Sequence, residues 1–438
     1  MNFAESESYL LSLGNEVSAM KLGLENIRKL LHAIGDPQNN YLKVQVAGTN
    51  GKGSVCAFLN SICVTAGIRT GMYTSPHLVS MTERVKISGD DIAEEDFARL
   101  ATQVREISEK LVASGDLENV PTYFEQVTAI GLLAFAEAKV ELGILETGLG
   151  GRLDATTAAN AEIAAITRID LDHQRYLGET IEEIAAEKAA IIHEGSKVVI
   201  LRQSHVVEQV IAGRCREVGV EPTWTTNKIR VTRDWDVRPG VVATFETERA
   251  SYVKILLWGM LGDHQVENAP VAVGIAEILQ DAGLSIDSDA ITIGLERASH
   301  PGRLEFYDGF LFDGAHNIGG AKALRKFLDE FVDQPVTMIF GSMGDKAVGE
   351  IASVLFPRAN KLILTQPDNS RALDASELRR VVPDGFDQAN VFVTNTVLGA
   401  IEKAREVSNG NDLILVTGSL YLVGEVRRIV GKDTLRNN

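Results

Sequence analysis

Cysteine is scarce in this 438-residue sequence, and its spacing excludes two kinds of site. Cys56, Cys63 and Cys215 are an odd number without C-x-x-C spacing. We therefore expect neither a disulfide framework nor a cysteine zinc site, and a reducing compartment is favoured. No apolar run reaches the ~20 residues that span a bilayer, and acidic residues stand near the N-terminus, where a secretory signal is basic. The sequence predicts a cytoplasmic protein with no membrane partner.

Basic residues are also fewer than acidic residues. The sequence has 43 Lys and Arg against 60 Asp and Glu, which is a formal net charge of −17 at pH 7. It lacks the clusters of Lys and Arg that contact nucleic-acid phosphates, so we expect no nucleic-acid partner. With 45% hydrophobic and 24% charged residues the composition is that of a globular protein. The length indicates two or three domains of roughly 100–200 residues each.

Short Val, Ile and Leu runs alternate with longer amphipathic stretches, which predicts βα units around a mainly parallel sheet. Between about 220 and 258 the pattern changes to short strand-like pieces, which predicts a small antiparallel insert. A Pro-Gly break over 298–303 predicts a domain boundary. The predicted fold class is α/β: a mainly parallel sheet domain with a phosphate loop over 1–298, and a smaller Rossmann-like α/β domain over 299–438. The predicted strands of the two sheets are Leu42–Val46, Leu142–Leu145, Ile163–Thr167, Val198–Leu201, Val336–Phe340, Lys361–Thr365, Val391–Val393 and Leu413–Val416.

A glycine-rich turn, Val46-Ala-Gly-Thr-Asn-Gly-Lys-Gly-Ser54, lies between a predicted strand and a predicted helix. Glycines let backbone N–H groups converge on phosphate oxygens, the helix N-terminus favours an anion, and Lys52 can reach terminal phosphates. The turn departs from the common G-x-x-x-x-G-K-[ST] string, because Val46 occupies the first glycine position and Gly53 precedes Ser54. We interpret it as a nucleotide cradle, and the alternative is an exposed glycine turn. Its candidate nucleotide-binding residues are Gly48, Thr49, Asn50, Gly51, Lys52, Gly53 and Ser54.

The Gly-Thr-Asn-Gly-Lys-Gly-Ser string resembles the ATP loop of the Mur ligase superfamily, and in particular of its folylpolyglutamate synthase and dihydrofolate synthase branch. Further strings of that branch extend through almost the whole chain, so the resemblance is specific where a single string would be weak. Ile318, Ala190 and His193 depart from the usual proline, glycine and lysine, which affects local loop shape. The matching strings are Gly35-Asp36-Pro37-Gln38, Tyr73-Thr74-Ser75-Pro76-His77-Leu78, Glu83-Arg84, Phe124-Glu125, Glu146–Asp154, Asp172-His173, Leu177-Gly178, Glu187-Lys188-Ala189, His264-Gln265, Asn268-Ala269, Pro301–Glu305 and Asp313–Asn317.

Two residues at strand ends are candidate metal ligands. Glu146 ends one apolar run and His173 follows another, so both are expected at the carboxyl edge of the sheet, where α/β proteins bind ligands. Mg²⁺ prefers oxygen ligands and accepts an occasional imidazole, so Ser75, Glu146 and His173 suit an ion that bridges ATP phosphates. The resemblance implies the same set, together with Ser54 and a second Mg²⁺. Without that context, a lone His or Glu is more often structural.

Lys188 falls on the apolar side of a predicted helix. Thr180 and Glu183 form a capping-box pattern, after which Ile181, Ile184 and Lys188 share one stripe. One interpretation is a side chain whose amine reaches solvent past the apolar stripe. The other is a buried neutral amine, which can react with CO₂ to form a carbamate. The resemblance implies carbamylated Lys188 close to the second metal.

The resemblance also assigns residues that contact ATP and the acceptor. Asn268 and Arg303 resemble the ATP-contacting pair of the family. Asp313 and His316 lie in a turn after an apolar run, where Asp313 could hold a ribose hydroxyl or orient Arg303. The alternative for that turn is a structural cap. The residues that resemble the pterin-contacting part of the family are Arg84, Tyr123, Phe124 and Asp154, with Phe124 suited to stacking on a flat ring.

The resemblance and the motifs together predict an ATP-dependent acid–amino-acid ligase. It would join L-glutamate to dihydropteroate, to reduced folates or to both, through an acyl-phosphate intermediate, and we expect a monomer. Two alternatives stay open: a muramyl peptide ligase of the same superfamily, and a nucleotide-dependent regulator that catalyses no ligation. The candidate catalytic residues are Lys52, His173, Lys188 and Arg303.

Overall fold

The computed structural model describes residues 1–14, 23–237 and 239–437. Residue contacts divide the chain into two compact units. The first comprises Met1–Thr232, Thr244–Ile255 and Glu267–Ala298, and the second comprises Arg233–Ala243, Leu256–Val266 and Ser299–Asn438. No helix in the described ranges is long and apolar enough to cross a membrane.

An eight-stranded sheet forms the first unit. Its strands are β1 (Leu42–Ala47), β2 (Thr70–Tyr73), β3 (Val85–Ile87), β4 (Asp90–Asp91), β5 (Leu142–Glu146), β6 (Ile163–Ile166), β7 (Lys197–Ile200) and β8 (Pro222–Trp224). They lie in the order β4-β3-β2-β5-β1-β6-β7-β8. The pairs β2–β3 and β3–β4 are antiparallel, and the other described pairs are parallel. The central strands are buried nearly throughout, and β5 and β6 accordingly contain apolar runs in the sequence. In β1 the buried residues include Lys43 and Gln45.

Helices of the first unit connect and cover these strands. They are α1 (Phe3–Ser12), α2 (Glu25–Ala33), α3 (Lys52–Thr65), α4 (Glu94–Ala113), α5 (Tyr123–Glu137), α6 (Gln174–Leu177), α7 (Ile181–Ala189), α8 (His205–Glu217), α9 (Thr225–Lys228), α10 (Asp263–Asp281) and α11 (Ser288–Arg297). Helix α10 begins at Asp263 and runs through Pro270. Its first residues, up to Val266, are assigned to the second unit.

The register of the sheet places three loops side by side. Val46 of β1 pairs with Glu146 of β5, and Ala47 pairs with Ile166 of β6, in parallel ladders. The glycine-rich turn, the segment after Glu146 and the segment after β6 therefore leave the same carboxyl edge. In open α/β sheets this is the edge at which ligands bind.

The predicted insert is a three-stranded sheet in the order β11-β10-β9. Its strands are β9 (Arg230–Val237), β10 (Gly240–Glu246) and β11 (Ser251–Leu257). All three strands lie within the stretch of about 220–258 that the sequence predicts to be strand-like.

A six-stranded sheet forms the second unit. Its strands are β12 (Glu305–Tyr307), β13 (Phe310–Asp313), β14 (Val336–Phe340), β15 (Lys361–Leu364), β16 (Val391–Val393) and β17 (Leu413–Thr417), in the order β12-β13-β17-β14-β15-β16. Only β12 is antiparallel to its neighbour among these described strands. Its helices are α12 (Ile318–Phe331), α13 (Val348–Leu355), α14 (Ala375–Leu378), α15 (Val397–Val407) and α16 (Leu420–Asn437). The predicted α/β fold class, with a second Rossmann-like sheet, is confirmed.

Candidate active site

Two glycines give the loop between β1 and α3 its shape. Gly48 has φ +156° and Gly51 has φ +93°, in the region that favours glycine. A Cβ atom on Gly48 would lie 1.9 Å from Oγ1 of Thr167, and one on Gly51 would lie 2.4 Å from Oδ1 of Asn268. A side chain at either position would clash, so only glycine lets the loop pack this closely on Thr167 and Asn268.

The segment 168–170, which follows β6, holds this phosphate loop. The amides of Thr49 and Asn50 both donate to the carbonyl oxygen of Arg168, at 2.8 and 3.1 Å. Nδ2 of Asn50 donates to Oδ2 of Asp170 at 3.0 Å. Oγ1 of Thr49 donates to the backbone carbonyl oxygen of Asp170, also at 3.0 Å. These two amides therefore point at Arg168, and the helix N-terminus at Lys52 is the part of the loop suited to an anion.

Lys188 reaches the same loop from α7. The predicted capping box is present, since Thr180 and Glu183 exchange hydrogen bonds between side chain and backbone. Nζ of Lys188 is buried and donates to the carbonyl oxygen of Gly48 at 2.9 Å, so it does not extend to solvent. Burial, followed by the charge of Lys52, lowers the pKa of Lys188 to about 7. A substantial fraction of this amine is neutral near pH 7.

Ser75 and Glu146 meet at the ends of neighbouring strands. Glu146 is the last residue of β5 and is buried. The backbone amide of Ser75, two residues after β2, donates to Oε2 of Glu146 at 3.1 Å. This contact directs the Glu146 carboxylate across the carboxyl edge of the sheet, beside the phosphate loop.

His173 stands in a strained turn with Asp172. Its φ is +52°, and its backbone amide donates to Oδ1 of Asp172 at 2.8 Å. Nε2 of His173 lies 3.9 Å from Oδ2 of Asp172, which is beyond hydrogen-bond distance. Among the residues that the structure describes, no three His, Cys, Asp or Glu side chains group closely enough to hold a metal ion.

Phe124 and Asp154 lie in one region of the first unit. Phe124, at the start of α5, packs so closely on Gly148 that a Cβ there would be 2.4 Å from its Cζ. Asp154 is buried and accepts hydrogen bonds from the amides of Leu149 and Thr156, at 2.9 and 3.0 Å. Burial raises the pKa of Asp154, and the hydrogen bonds from Thr156 oppose that shift. The backbone amides of the surrounding loop therefore fix the orientation of the Asp154 carboxylate.

Arg84 and Tyr123 are buried, with 2% of each residue exposed. The guanidinium of Arg84 lies over the Tyr123 ring at 5.6 Å, and its Nε donates to Nδ1 of His77 at 2.8 Å. Because Nδ1 accepts this bond, the ring of His77 is neutral. Burial and the charge of Arg84 lower the pKa of His77 to about 3.

The second unit holds its own polar cluster. Asp313, the last residue of β13, accepts hydrogen bonds from the amides of Leu304 and Ala315, both at 3.0 Å. Nη1 of Arg303 donates to the carbonyl oxygen of Gly314 at 3.1 Å, and Nδ1 of His316 donates to the same oxygen at 2.8 Å. Burial raises the pKa of Asp313, and Arg303 opposes that shift. Arg303, Asp313 and His316 are thus bonded to backbone groups of residues 304, 314 and 315. Asn268, the other residue predicted to contact ATP, lies in the first unit.

Four polar residues near these sites are absent from the sequence-based set: Gln45, His77, Asp170 and His264. Gln45 interrupts an apolar strand, and His77 and His264 stand inside strings that matched the family, so each carries a signal in the sequence. Burial and the charge of Arg303 lower the pKa of His264 to about 4. Asp170 has no such signal, because its contacts with Thr49 and Asn50 span about 120 residues.

Comparison with protein families covers most of the chain. Residues 46–276 match the Mur ligase middle domain, and residues 302–420 match the Mur ligase glutamate ligase domain. A probable bifunctional folylpolyglutamate synthase/dihydropteroate synthase of Halobacterium salinarum is 36% identical over 98% of the chain, and the chain spans 51% of that relative. A dihydrofolate synthase/folylpolyglutamate synthase of Bacillus subtilis is 33% identical, with 93% of this chain and 95% of that protein covered.

Solved structures of similar chains have the same fold. The Mycobacterium tuberculosis folylpolyglutamate synthase complexed with ADP has a TM-score of 0.91 at 30% identity, and 98% of each chain is covered. A Yersinia pestis bifunctional folylpolyglutamate synthase/dihydrofolate synthase complexed with AMPPNP and Mn has a TM-score of 0.84 at 27% identity, again over 98% of both chains. This chain therefore belongs to the Mur ligase superfamily and, within it, to the folylpolyglutamate synthase/dihydrofolate synthase family.

Proposed function

We propose that this protein is an ATP-dependent ligase that joins L-glutamate to dihydropteroate, to reduced folates or to both. The observation that carries the proposal is the contact of buried Lys188 with Gly48 of the phosphate loop, at 2.9 Å. A nucleotide-dependent regulator requires the phosphate loop, but its function does not require a buried lysine of lowered pKa in contact with the backbone of that loop. The names of the Bacillus and Mycobacterium relatives support the same activity.

We propose two domains, an ATP-binding domain over 1–298 and a glutamate-ligase domain over 299–438. The division of residue contacts at Ala298 supports this boundary, and so do the ranges of the two family matches. ATP would bind through the phosphate loop, with Asn268 beside Gly51 as a further contact. In the second domain, Arg303 would contact the phosphates and Asp313 the ribose, and His316 would be a further nucleotide contact.

The residues at the carboxyl edge suit magnesium ions. Mg²⁺ is usually held by one or two carboxylates, waters and substrate phosphates, so a cluster of three acidic or histidine side chains is not required. Ser75, Glu146 and His173 would hold one ion, and Ser54 and carbamylated Lys188 would help to hold a second. When bound, they neutralise charge on the transferring phosphoryl group.

We propose that Lys188 is carbamylated in the active enzyme. Its buried amine has a pKa lowered to about 7, so a neutral lone pair is available to attack CO₂. The N–C bond forms as the nitrogen gives up one proton, which converts the neutral amine into an anionic carbamate. The carbamate nitrogen keeps one N–H, so the hydrogen bond to Gly48 can persist. Lys52 lies close enough to influence the amine and would stabilise the new negative charge.

The reaction would proceed in two steps. An oxygen of the acceptor carboxylate attacks the γ-phosphorus of ATP, and ADP leaves, giving an acyl phosphate. The amine of glutamate then attacks the acyl carbon, a proton is lost, and inorganic phosphate leaves as the amide forms. Lys52 and Arg303 would stabilise charge on the phosphoryl oxygens, while Phe124 and Asp154 hold the pterin ring. Arg84 and Tyr123 would be further contacts of the acceptor.

An isotope experiment tests this mechanism. Acceptor labelled with ¹⁸O in its carboxylate should transfer one ¹⁸O atom to the inorganic phosphate released in each turnover, because that oxygen bridges carbon and phosphorus in the acyl phosphate. The comparison is a reaction without glutamate, which should release little labelled phosphate. Unlabelled phosphate accompanying ligated product would contradict an acyl phosphate.

We also propose that the protein acts as a monomer in the cytoplasm. The three cysteines are free and buried, which supports a reducing compartment. Light scattering during size-exclusion chromatography should give a mass near 47.5 kDa. A stable mass of twice that value would contradict the monomer.

A further inference from the structure

Gln45 is a buried amide on β1, three residues before the phosphate loop. It is 2% exposed, on a strand that is otherwise largely apolar. Its Nε2 lies 2.9 Å from Oγ1 of Thr156 and 2.7 Å from Oγ1 of Thr157, with Oγ1 of Thr147 at 3.4 Å. Burying an amide is costly unless its groups are paired, and here the partners are hydroxyls of the loop that contains Asp154.

The other partners of these hydroxyls determine which way each hydrogen bond runs. Oγ1 of Thr156 lies 2.5 Å from Oδ1 of Asp154, and Oγ1 of Thr157 lies 2.7 Å from the carbonyl oxygen of Gly151. A carboxylate and a carbonyl oxygen only accept, so each threonine donates its single O–H to them. The Gln45 atom facing the hydroxyls must then be a donor, and the two N–H groups of Nε2 satisfy both threonines.

We propose that Gln45 is a positioning residue for the acceptor substrate. Because Nε2 can only donate, it directs the Thr156 hydroxyl onto Asp154 and the Thr157 hydroxyl onto Gly151. Asp154 is thereby held as a hydrogen-bond acceptor for N–H groups of the acceptor's heteroaromatic ring. The inference rests on the proposed function, in which Asp154 contacts that ring.

Substitutions of nearly equal shape separate this role from packing. Gln45→Glu keeps the size of the side chain but replaces the donor by a carboxyl oxygen, which draws the hydroxyl of Thr156 away from Asp154. Gln45→Met removes the polar atoms, so Thr156 can still donate to Asp154 but loses its own donor. Thr156→Val removes the hydroxyl at constant shape, and Thr156→Ser restores it. Asp154→Asn tests the acceptor contact itself.

The experiment measures the KM for dihydropteroate, the KM for ATP and kcat in the full-length variants, with ADP binding as the control for folding. We expect Gln45→Glu and Thr156→Val each to raise the dihydropteroate KM at least tenfold. Gln45→Met should raise it by a smaller factor, about threefold, and Thr156→Ser should stay within twofold of the natural protein. The ATP KM should change less than twofold throughout. In the Thr156→Val background, Gln45→Glu should add little.

Different failures have different meanings. If Asp154→Asn raises the dihydropteroate KM and Gln45→Glu leaves it within twofold, Gln45 does not position Asp154, and the proposed function stands. If Gln45→Met is more harmful than Gln45→Glu, or if both substrates' KM values rise together, the residue is structural and the inference is wrong. If Asp154→Asn changes neither KM, the acceptor contact and this inference fall together.

Discussion

Single side chains at the carboxyl edge of the first sheet owe their chemistry to burial. Lys188 has a pKa lowered to about 7, mainly because its ammonium form loses solvation and lies near Lys52. The pKa of Asp154 is raised by the same loss of solvent, although backbone and hydroxyl donors oppose the shift. The first unit therefore contains both the Lys188 amine, with its lowered pKa, and the Asp154 carboxylate, held by hydrogen bonds, before any substrate binds.

Lys188→Ala should lower kcat by at least a hundredfold if the carbamate assists phosphoryl transfer. Small carboxylic acids such as acetate should restore part of the activity, because they can fill the vacated anion position. Lys197→Ala is the control, since Lys197 is exposed on β7. Retained activity, or loss without rescue by any acid, would argue against the carbamate.

Lys188→Met should stabilise the unbound protein in a pH-dependent way. The pKa of this lysine is about 7 when folded and near 10.5 when unfolded, so between these values the unfolded chain binds a proton that the folded chain does not. The stability of the natural protein therefore rises with pH from about 7 to 10.5. The advantage of methionine, up to a few kcal/mol, should be greatest below pH 7 and should shrink as pH rises. Urea unfolding in CO₂-free buffer at pH 6, 8 and 10 measures it, and a pH-independent difference would contradict the pKa.

Phe124→Ala should raise the KM for dihydropteroate about tenfold, because a stacking contact of about 1 kcal/mol is lost along with buried area. The ATP KM should not change. Phe392→Ala on the edge strand β16 is a control for removal of an aromatic ring elsewhere. A parallel rise in both KM values would place Phe124 among the residues that only support the fold.

At the scale of elements, the phosphate loop and the segment 168–170 behave as one hydrogen-bonded structure. Thr49 and Asn50 bond to Arg168 and Asp170 through both backbone and side chains. Arg168 also forms an ion pair with Glu267 of α10, at 2.7 Å, beside the contact between Asn268 and Gly51. The loop is therefore bounded on two sides by elements distant in sequence.

Asp170→Ala should raise the KM for ATP by about two- to tenfold, the value of one hydrogen bond, because Asn50 loses its side-chain partner. Asp170→Asn should remain near the natural value, since its amide oxygen can accept the same bond. Steady-state kinetics with varied ATP distinguishes the two. If the asparagine variant is as impaired as the alanine variant, the charge of Asp170 matters and the hydrogen bond does not explain the effect.

Elements with strong local signals were predictable from the sequence. The predicted strands β1, β5 and β6 end one residue from the observed bounds, and the capping box marks the start of α7. The orientation of the Thr49 and Asn50 amides was not predictable, because it depends on a partner about 120 residues away. The direction of the Gln45 amide is likewise set by threonines about 110 residues distant, which no periodicity reports.

At the scale of the whole molecule, the chain forms two α/β units, and each unit has its own cluster of polar residues. The alternation of strands and helices indicated parallel sheets, but strand order and the antiparallel edge β3–β4 depend on long-range pairing. The family strings were more informative about chemistry than periodicity was, since a polar residue at a strand end has many uses. Their distribution along nearly the whole chain agrees with the coverage of the related structures.

The most direct test of the account is the product formed in one set of reactions. The protein is incubated with ATP and L-glutamate and with dihydropteroate, tetrahydrofolate or a muramyl peptide precursor, and products are identified by mass spectrometry. The account predicts glutamate adducts of dihydropteroate, of tetrahydrofolate or of both, each with one ADP released per bond, and none of the muramyl compound. Ligation of the muramyl compound alone, or ATP hydrolysis with no adduct, would contradict it.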